Sequence, residues 1–405
     1  MSKITSLHDA YRHPGFLPAL RAQTDDDDPD AFVVSLRRRR KKTSAAVAEA
    51  WSTVTTITSG GAPATSIVVA EPVFVEFEFR RVPCPRCGVK RERLNWLATN
   101  PRYTHRFVVA VGRRCRTATL KDVAHEMDLH WTTVKDIDKL YMREQLVQAG
   151  PADPEAIGID EISIGPGHTY RIVVSDLLRK RAIWFGGTDR SEASLDLFFQ
   201  SISLEKRQKI RLVVMDMWKA FRNSTTHWLP QARIVFDKFH TLRHLGDALD
   251  KVRKNEYYRL QGEDRRFIKG QKYTLLTNRD NLSQEGRASL ALLFKANRRL
   301  NKASLLKEQF GQLWDYQQPI EARDFFVRWK SALRWQRLTP YRKFAAMIDH
   351  HWAGIVSYCQ VENKVPLGFV EGFNNKIRAL QRRAYGFQDE DYLCLKILTC
   401  MLPKL

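Results

Sequence analysis

The sequence predicts a multidomain α/β protein, and three observations lead to this prediction. The chain has 405 residues, which is longer than one ordinary domain. Strand-like and helix-like hydrophobic patterns alternate between residues 157 and 236, and a long stretch with helical spacing follows them. Hydrophobic residues make up 43% of the chain, which is enough to fill packed cores instead of leaving a disordered basic tail.

The net charge of the chain is +22, so the composition favours a polyanionic partner. Nucleic acid, the ribosome and a membrane surface all carry negative charge, and composition alone does not distinguish among them. No run of eighteen apolar residues occurs, the first ten residues lack the apolar core of a signal peptide, and the six cysteines form no disulfide framework. We therefore expect a cytoplasmic protein that binds no membrane.

Residues 1–70 predict no well-defined domain. They contain an acidic run over 25–28, a basic run over 37–42 and a segment rich in Ser, Thr, Ala and Gly. Short basic runs are more often solvated than bound to phosphate, so we assign no chemistry to this segment.

Residues 71–117 predict a zinc-ribbon-like module. Alternating apolar residues over 73–81 indicate a half-buried strand, and a second strand is predicted over 107–111. The candidate zinc ligands that follow these strands are Cys84, Cys87 and Cys115. Structural zinc takes four ligands, which His105 or His125 could complete, and a degenerate ribbon without metal is the alternative.

Residues 118–150 predict a helix-turn-helix, because their apolar residues fit two short amphipathic helices joined by a tight turn. In such a motif the start of the second helix contacts base edges or phosphates. The residues predicted to contact DNA there are Trp131, Thr132, Thr133 and Lys135. An ordinary helical hairpin is the alternative, which the basic composition makes the weaker interpretation.

Residues 151–245 predict a sheet flanked by helices. Three strands with short connections imply an antiparallel meander, and a helix, a strand, a helix and a strand follow. The predicted strands are 157–164, 169–175, 182–186, 210–217 and 233–236, and the predicted helices are 191–202 and 218–228. This order is the topology of a ribonuclease H-like fold, in which the first and fourth strands lie side by side.

That fold would bring the carboxylates of Asp160 and Asp216 close together. Two such charges repel each other and raise one pKa unless a cation neutralises them. Mg²⁺ suits the site because it prefers oxygen ligands, Mn²⁺ can replace it, and two ions roughly 3.5–4 Å apart can promote in-line phosphoryl displacement. Such a site needs a third carboxylate, and Glu371 on a helix predicted over 370–383 is the best candidate.

Further polar residues accompany these acids. On the predicted helix, Asn374 or Asn375 and Arg378 recur at helical spacing with Glu371; a solvated helix face is the alternative. After the last strand, the secondary candidates are Asp237 and His240. Asp237 could lie near the acidic pair while His240 positions DNA or a flipped nucleotide; a capping Asp followed by a packed His is the alternative.

Residues 246–345 predict an all-helical insertion that interrupts the catalytic domain, and residues 346–405 return to that domain. Aromatic residues at helical spacing in the insertion are assigned to its core. Five basic residues are candidate phosphate contacts: Arg265, Arg266, Lys269, Arg298 and Arg299.

The same motifs carry a resemblance to a known family. They are the Cys84-Pro-Arg-Cys87 pair, the helix-turn-helix, and the segments 158–163, 214–218, 236–240 and 368–378. From about residue 73 to its last residue, the chain resembles the ISL3 family of insertion-sequence transposases. It departs from the family pattern in the ribbon, where the later cysteine pair is reduced to Cys115.

The resemblance implies a DDE mechanism in which Asp160, Asp216 and Glu371 bind the metal. It also implies binding to terminal inverted repeats, followed by strand cleavage and transfer without a covalent protein intermediate. An acid or a cysteine shortly before a histidine is known in several DDE groups, which Asp237 and His240 resemble.

We therefore predict a transposase that binds double-stranded DNA, both element ends and target, as a homodimer or larger assembly associated with the nucleoid. The alternatives are a sequence-specific DNA-binding regulator with an inactive catalytic domain and a metal-dependent nuclease of the same fold. Intact acids in ordered strand contexts argue against the regulator. The amino-terminal modules and the insertion argue against a simple nuclease, which needs neither.

Overall fold

The computed structural model describes most of the chain from residue 11 onwards. Outside the described residues lie 1–10, 27, 29–30, 40–47, 57–72, 85–87, 166–168, 278 and 385–386, and only the backbone is described for 48–56, 82–84, 91 and 279. The chain forms two compact units: Met1–Gly150 together with Arg383–Leu405, and Pro151–Arg382. Across the described residues, none of the helices combines the length and apolarity that a membrane span requires.

The first unit contains a sheet of short strands. They are β1 (Phe16–Pro18), β2 (Gln23–Thr24), β3 (Phe32–Arg38), β4 (Ala48–Thr56), β5 (Val73–Cys84) and β6 (Gly88–Arg91). The order is β1-β3-β5-β4, with β2 on β3 and β6 on β5, and β3 is parallel to β5. Residues 1–70 thus contribute four strands, although the sequence predicts no well-defined domain there. The local pattern does not reveal β3, because this strand is defined by its pairing with the distant β5.

Three helices follow the sheet: α1 (His105–Cys115), α2 (Leu120–Glu126) and α3 (Trp131–Ala149). The predicted helix-turn-helix corresponds to α2 and α3. The strand predicted over 107–111 is wrong, because Phe107, Val108, Val111 and Cys115 recur at helical spacing and are buried together on one face of α1. Gly112 lets α3 approach, since a Cβ there would lie 2.1 Å from the ring of Tyr141.

The second unit is built on a five-stranded sheet. Its strands are β7 (Ala156–Gly165), β8 (Thr169–Asp176), β9 (Arg181–Gly186), β10 (Leu212–Met215) and β11 (Arg233–Phe236). The order is β11-β10-β7-β8-β9; β7, β8 and β9 are antiparallel, whereas β10 is parallel to both β7 and β11. The first and fourth predicted strands therefore do lie side by side, and the fully buried β10 occupies an interior position.

Helices complete the second unit. They are α4 (Glu192–Ser201), α5 (Leu204–Lys209), α6 (Lys219–Trp228), α7 (Lys238–Arg259), α8 (Gly262–Gly270), α9 (Lys272–Leu276), α10 (Gln284–Ala296), α11 (Arg298–Phe310), α12 (Pro319–Ala332), α13 (Thr339–His350), α14 (Trp352–Val356) and α15 (Gly368–Arg383). Short 3-10 turns occupy Arg279–Asn281, Gly311–Asp315, Ser357–Cys359 and Val361–Asn363. One hydrophobic cluster joins the sheet to the inserted helices, so the insertion shares the core of the catalytic domain.

The last helix, α16 (Glu390–Thr399), packs against α3. The sequence predicts that residues 346–405 belong to the catalytic domain, but Arg383–Leu405 group with the first unit. The reason is a buried polar contact: Lys396 Nζ lies 2.6 Å from Asp138 Oδ2, and Tyr392 donates its hydroxyl to the same oxygen at 2.6 Å. Lys396 also donates to the backbone oxygen of Cys115. Local periodicity cannot reveal a contact between residues so far apart in sequence.

Replacing Lys396 tests this contact. Lys396→Met should lower the stability of the α3 and α16 pair by about 3–5 kcal/mol, because it leaves the carboxylate of Asp138 buried without its cation. Native-state hydrogen exchange of the amides in both helices measures the change. Lys404→Met, at an exposed lysine nearby in sequence, is the matched control and should change little. Unchanged exchange in Lys396→Met would contradict a stabilising role for the pair.

Candidate active site and nucleic-acid interface

Three aspartates lie at one edge of the second sheet. Asp160 is in β7, and Asp216 and Asp237 directly follow β10 and β11. Val214 is paired with Gly158 in parallel register. Asp216 and Asp160 each follow these residues by two positions, so the two aspartates lie opposite each other. The backbone nitrogen of Asp237 donates to Met215 at 2.9 Å, which places it beside Asp216. Parallel pairing thus aligns three carboxylates that are far apart in sequence.

Asp160 is the most perturbed of these acids. Its side chain is 5% exposed, and burial raises its pKa to about 6, although the nearby charge of His240 lowers it. Oδ1 accepts a hydrogen bond from the backbone nitrogen of Glu161 at 2.8 Å, and Oδ2 accepts one from the side-chain amide of Asn374. The carboxylate is therefore oriented by two donors but only partly compensated in charge.

His240 provides the positive charge of the site. Its Nδ1 lies 3.2 Å from Asp237 Oδ2, and Asp237 also caps α7 by accepting a hydrogen bond from Phe239. Burial opposes protonation, but the hydrogen bond to Asp237 and the charges of Asp160 and Asp216 outweigh it and raise the pKa of His240 to about 9. An imidazolium therefore lies among three carboxylates at neutral pH. The sequence predicts that Asp237 either lies near the acidic pair or caps a helix. It does both in the structure.

Helix α15 runs along β7. Asn374 donates to Asp160, and further along Gln381 Nε2 donates to the backbone oxygen of Ser163 at 3.1 Å. Close approach depends on Gly158, because a Cβ at this position would lie 3.0 Å from Val370 Cγ2. Glu371 is half-buried one helical turn before Asn374, so it occupies the same face of α15.

The described side chains are not gathered into a closed metal site. Among the residues that the structure describes, no group of three His, Cys, Asp or Glu side chains is arranged to hold a metal ion. Asn374 rather than Glu371 donates a hydrogen bond to Asp160, and the buried Oδ1 of Asn374 has no hydrogen-bond partner among the described residues. The available donors are carboxylate and amide oxygens around an incompletely neutralised Asp160, and these suit a hard divalent cation.

The predicted zinc site stays a prediction, because no group of metal ligands is seen among the described residues. Cys115 ends α1, where its thiol is buried among apolar residues, and burial raises its pKa to about 12. Without metal, Cys115 is therefore a protonated thiol at neutral pH, and zinc binding would have to displace its proton. The side chain of Cys84 and all of Cys87 lie outside the described residues. Their backbone neighbours, β5 and β6, pair as an antiparallel hairpin.

The start of α3 presents the predicted DNA-reading residues. Trp131 is 43% exposed, Thr132 and Thr133 are half-buried, and His130 caps the helix by accepting a hydrogen bond from the backbone of Thr132. Lys135 is engaged within the unit, since its Nζ lies 3.1 Å from Asp389 Oδ2. In the first turn, Trp131 is thus the residue most accessible for a base contact.

The predicted phosphate contacts in the insertion differ in their surroundings. Arg266, Lys269 and Arg298 are exposed, and Arg265 lies over the ring of Tyr257. Arg299 instead binds Glu256 at 3.2 Å and the backbone oxygen of Arg337. Arg299 therefore has contacts that stabilise the helices of the insertion.

Near Glu371, the side chains of Asn375 and Arg378 are both exposed. Arg378 donates to Asn375 Oδ1 at 3.2 Å, so the two groups form one polar surface on α15. Sequence reasoning missed Arg190, which stacks on Trp218 beside the acids. The available signal was a tryptophan two residues after Asp216, at the end of the segment 214–218 that carries part of the family resemblance.

The titration of His240 tests the electrostatics of this site. Without added metal, its pKa should lie near 9 rather than at the ordinary 6.5. Because the folded-state pKa is raised, the stabilisation by His240 is complete below about pH 6.5 and is lost as the pH rises through about 9. NMR of the imidazole in chelator-treated protein measures the pKa. Asp237→Asn should lower it, and a wild-type pKa at or below 6.5 would contradict the described environment.

Comparisons with known proteins identify the family to which the chain is related. A transposase family model matches residues 157–397, which is more than half of the chain. A second model, the helix-turn-helix domain of transposase family ISL3, matches residues 92–142 and so includes α1 and α2 and most of α3.

Two relatives show the same likeness along most of the chain. The transposase for insertion sequence element IS1001 of Bordetella parapertussis is 33% identical over 322 residues, which cover 78% of this chain and 79% of that protein. The transposase for insertion sequence element IS1557 of Mycobacterium tuberculosis is 28% identical over 352 residues, which cover 81% of this chain and 78% of the relative. The chain therefore belongs to the ISL3 family of DDE transposases, DNA-binding enzymes that catalyse DNA transposition.

Proposed function

We propose that the second unit has a ribonuclease H-like fold and carries out metal-dependent DNA strand cleavage and strand transfer. The sheet order β11-β10-β7-β8-β9, with an antiparallel meander followed by two parallel strands, supports the fold assignment. The observation that carries the activity is the alignment of Asp216 and Asp237, at the carboxyl ends of the parallel strands β10 and β11, with Asp160 in the middle of the adjacent strand β7. Ligand-binding sites in open α/β sheets commonly occupy this edge.

Asp160, Asp216 and Glu371 would hold Mg²⁺, which Mn²⁺ could replace. The unpartnered Oδ1 of Asn374 and the raised pKa of Asp160 both fit a cation at this point. When bound, such ions activate the attacking oxygen and stabilise the leaving oxygen of an in-line phosphoryl displacement.

The neighbouring residues orient these acids and the DNA. Asn374 fixes the orientation of Asp160, and Asp237 fixes the ring of His240. The imidazolium of His240 offsets the negative charge of the acids, so it lowers the electrostatic cost of bringing a phosphodiester to them. Asn375 and Arg378 present an exposed donor surface on α15 to the DNA backbone.

The first unit would recognise the terminal inverted repeats. In this assignment α3 lies in the major groove, where Trp131, Thr132 and Thr133 contact bases, and Lys135 contacts phosphate when it leaves Asp389. Phosphate contacts from the insertion come from Arg265, Arg266, Lys269 and Arg298. Two element ends must be joined in one reaction, so the active form on DNA is a dimer or a larger assembly.

Removing single carboxylates tests the catalytic assignment. Asp160→Asn, Asp216→Asn and Glu371→Gln should each reduce strand cleavage and joining by about 10³-fold, the effect of deleting one electrostatic element of an active site. Binding of the element's own end should persist, because the first unit is unchanged. Radiolabelled end duplexes with Mg²⁺ or Mn²⁺ provide the assay. Asn374→Ala should cost about 10- to 100-fold, as expected for a residue that orients a ligand.

Matched controls are Asp264→Asn and Glu362→Gln, which neutralise exposed acids in the same unit and should retain activity. Full strand transfer by any of the three carboxylate variants would refute the proposed triad. Products that are cut but never joined by the wild type would indicate a nuclease of this fold instead.

A second test separates base recognition from phosphate binding. Trp131→Ala should reduce discrimination between the element end and a scrambled duplex, because it removes a contact at the start of α3. Arg298→Ala should weaken binding to both duplexes equally and reduce the slope of log K against log salt by about one. Binding titrations of both duplexes at several salt concentrations provide the measurement. Equal loss of discrimination in Trp131→Ala and Arg298→Ala would contradict the division between base recognition and phosphate binding.

A further inference from the structure

Three flat side chains stack beside the acidic edge of the second sheet. Trp218 lies two residues after Asp216 at the start of α6, Arg190 lies between β9 and α4, and Tyr170 is on β8. The guanidinium of Arg190 lies 4.4 Å from the centre of the Tyr170 ring and 5.0 Å from that of Trp218. We call Tyr170, Arg190 and Trp218 the stacking group.

The indole of Trp218 is both exposed and held in one orientation. It is 44% exposed, while its Nε1 donates a 2.9 Å hydrogen bond to the backbone oxygen of Arg190. The cation of the same residue lies over the ring. A large aromatic surface that is fixed and still accessible to solvent is typical of a binding site rather than of a packed core.

The stacking group adjoins the proposed catalytic acids. Arg190 Nη1 lies 3.4 Å from Glu161 Oε1, and Glu161 directly follows Asp160. Trp218 is attached through Met217 to Asp216, whose carboxylate accepts a hydrogen bond from the Met217 backbone. The Arg190 side chain is 37% exposed and its ion pair with Glu161 is long, so its guanidinium retains the capacity to bind an oxyanion.

The chemistry of this group identifies its ligand. Inside a duplex the faces of the bases are covered by their neighbours, so an aromatic side chain can stack only on a base that is unpaired or at an end. An arginine beside that aromatic ring suits the adjoining phosphate. We propose that the stacking group is a subsite for one unpaired nucleotide next to the phosphate that is cut, with its base on Trp218 and its phosphate on Arg190.

This subsite rests on the proposed active site, and it adds a requirement to the reaction. Stacking offsets part of the cost of unpairing the nucleotide at the cleavage point. Trp218 would therefore position the DNA without taking part in the chemical step. Loss of Trp218 should then matter less when the DNA is supplied with that nucleotide already unpaired.

The cleavage assay compares Trp218→Ala, Trp218→Phe and Arg190→Lys on element-end duplexes that are fully paired or mismatched at the nucleotide next to the cut. Trp218→Ala should cut the paired duplex about 5- to 150-fold more slowly, the range given by one base stacked on an aromatic side chain. On mismatched DNA, Trp218→Ala should recover most of the wild-type cleavage rate. Trp218→Phe should retain most of that rate on either duplex. Arg190→Lys keeps the charge but not the planar stack and should be intermediate. Trp335→Ala, at a tryptophan that is 81% exposed in the same unit, should cut like the wild type.

A binding measurement makes the result independent of catalysis. The fluorescence of 2-aminopurine at the unpaired position should be quenched by the chelator-treated wild type and not by Trp218→Ala, with both proteins bound at saturation. Equal cleavage and equal quenching by wild type and Trp218→Ala would overturn the subsite. So would an equal defect of Trp218→Ala on paired and mismatched DNA, which would indicate a structural role. If Asp216→Asn were active, the proposed triad would be refuted but the subsite would not. The quenching test does not require cleavage, so it still reports on the subsite.

Discussion

The structure of the second unit depends on holding like charges together at one edge of a sheet. Parallel pairing of β10 with both β7 and β11 places Asp160, Asp216 and Asp237 at the same level, and two of these carboxylates are almost fully buried. Such an arrangement is unfavourable unless cations and hydrogen bonds compensate it. His240 and Asn374 supply part of that compensation here, the first by charge and the second by a hydrogen bond that orients Asp160.

The same constraint explains how the surrounding helices are organised. Helix α7 must begin at Asp237 to place His240 among the acids, and α15 must lie along β7 to bring Asn374 to Asp160. The inserted helices α8 to α14 lie between α7 and α15 in the chain. They share one hydrophobic cluster with the sheet, so the third acid is carried on a helix whose position is fixed by the core. An insertion that packed independently would give no such positional control.

The first unit shows that a DNA-reading module can be completed from the other end of a chain. Helix α16 packs on α3, and its contact is polar: a lysine and an aspartate with little exposure, joined by a tyrosine hydroxyl. Burial raises the pKa of that tyrosine, so its hydroxyl stays a donor at neutral pH. At the surface, Asp389 and Asp391 neutralise the lysines of α3 that follow its first turn. The stability of the DNA-reading helix and the charge of its exposed face are thus both set by residues that local sequence reasoning assigned elsewhere.

The sequence by itself determined the elements with strong local periodicity: the strands and helices over 157–236, the two helices of the helix-turn-helix, and the helix that carries Glu371. It also identified the aspartates at strand ends, because an acid directly after an apolar run is a local signal. Only the tertiary structure decided the helical nature of 107–111, the burial of Cys115, the membership of 383–405 in the first unit, and the contact of Asn374 with Asp160. These features depend on residues that are distant in sequence, and their free energy comes from packing, burial and charge compensation that exist only after the chain has folded.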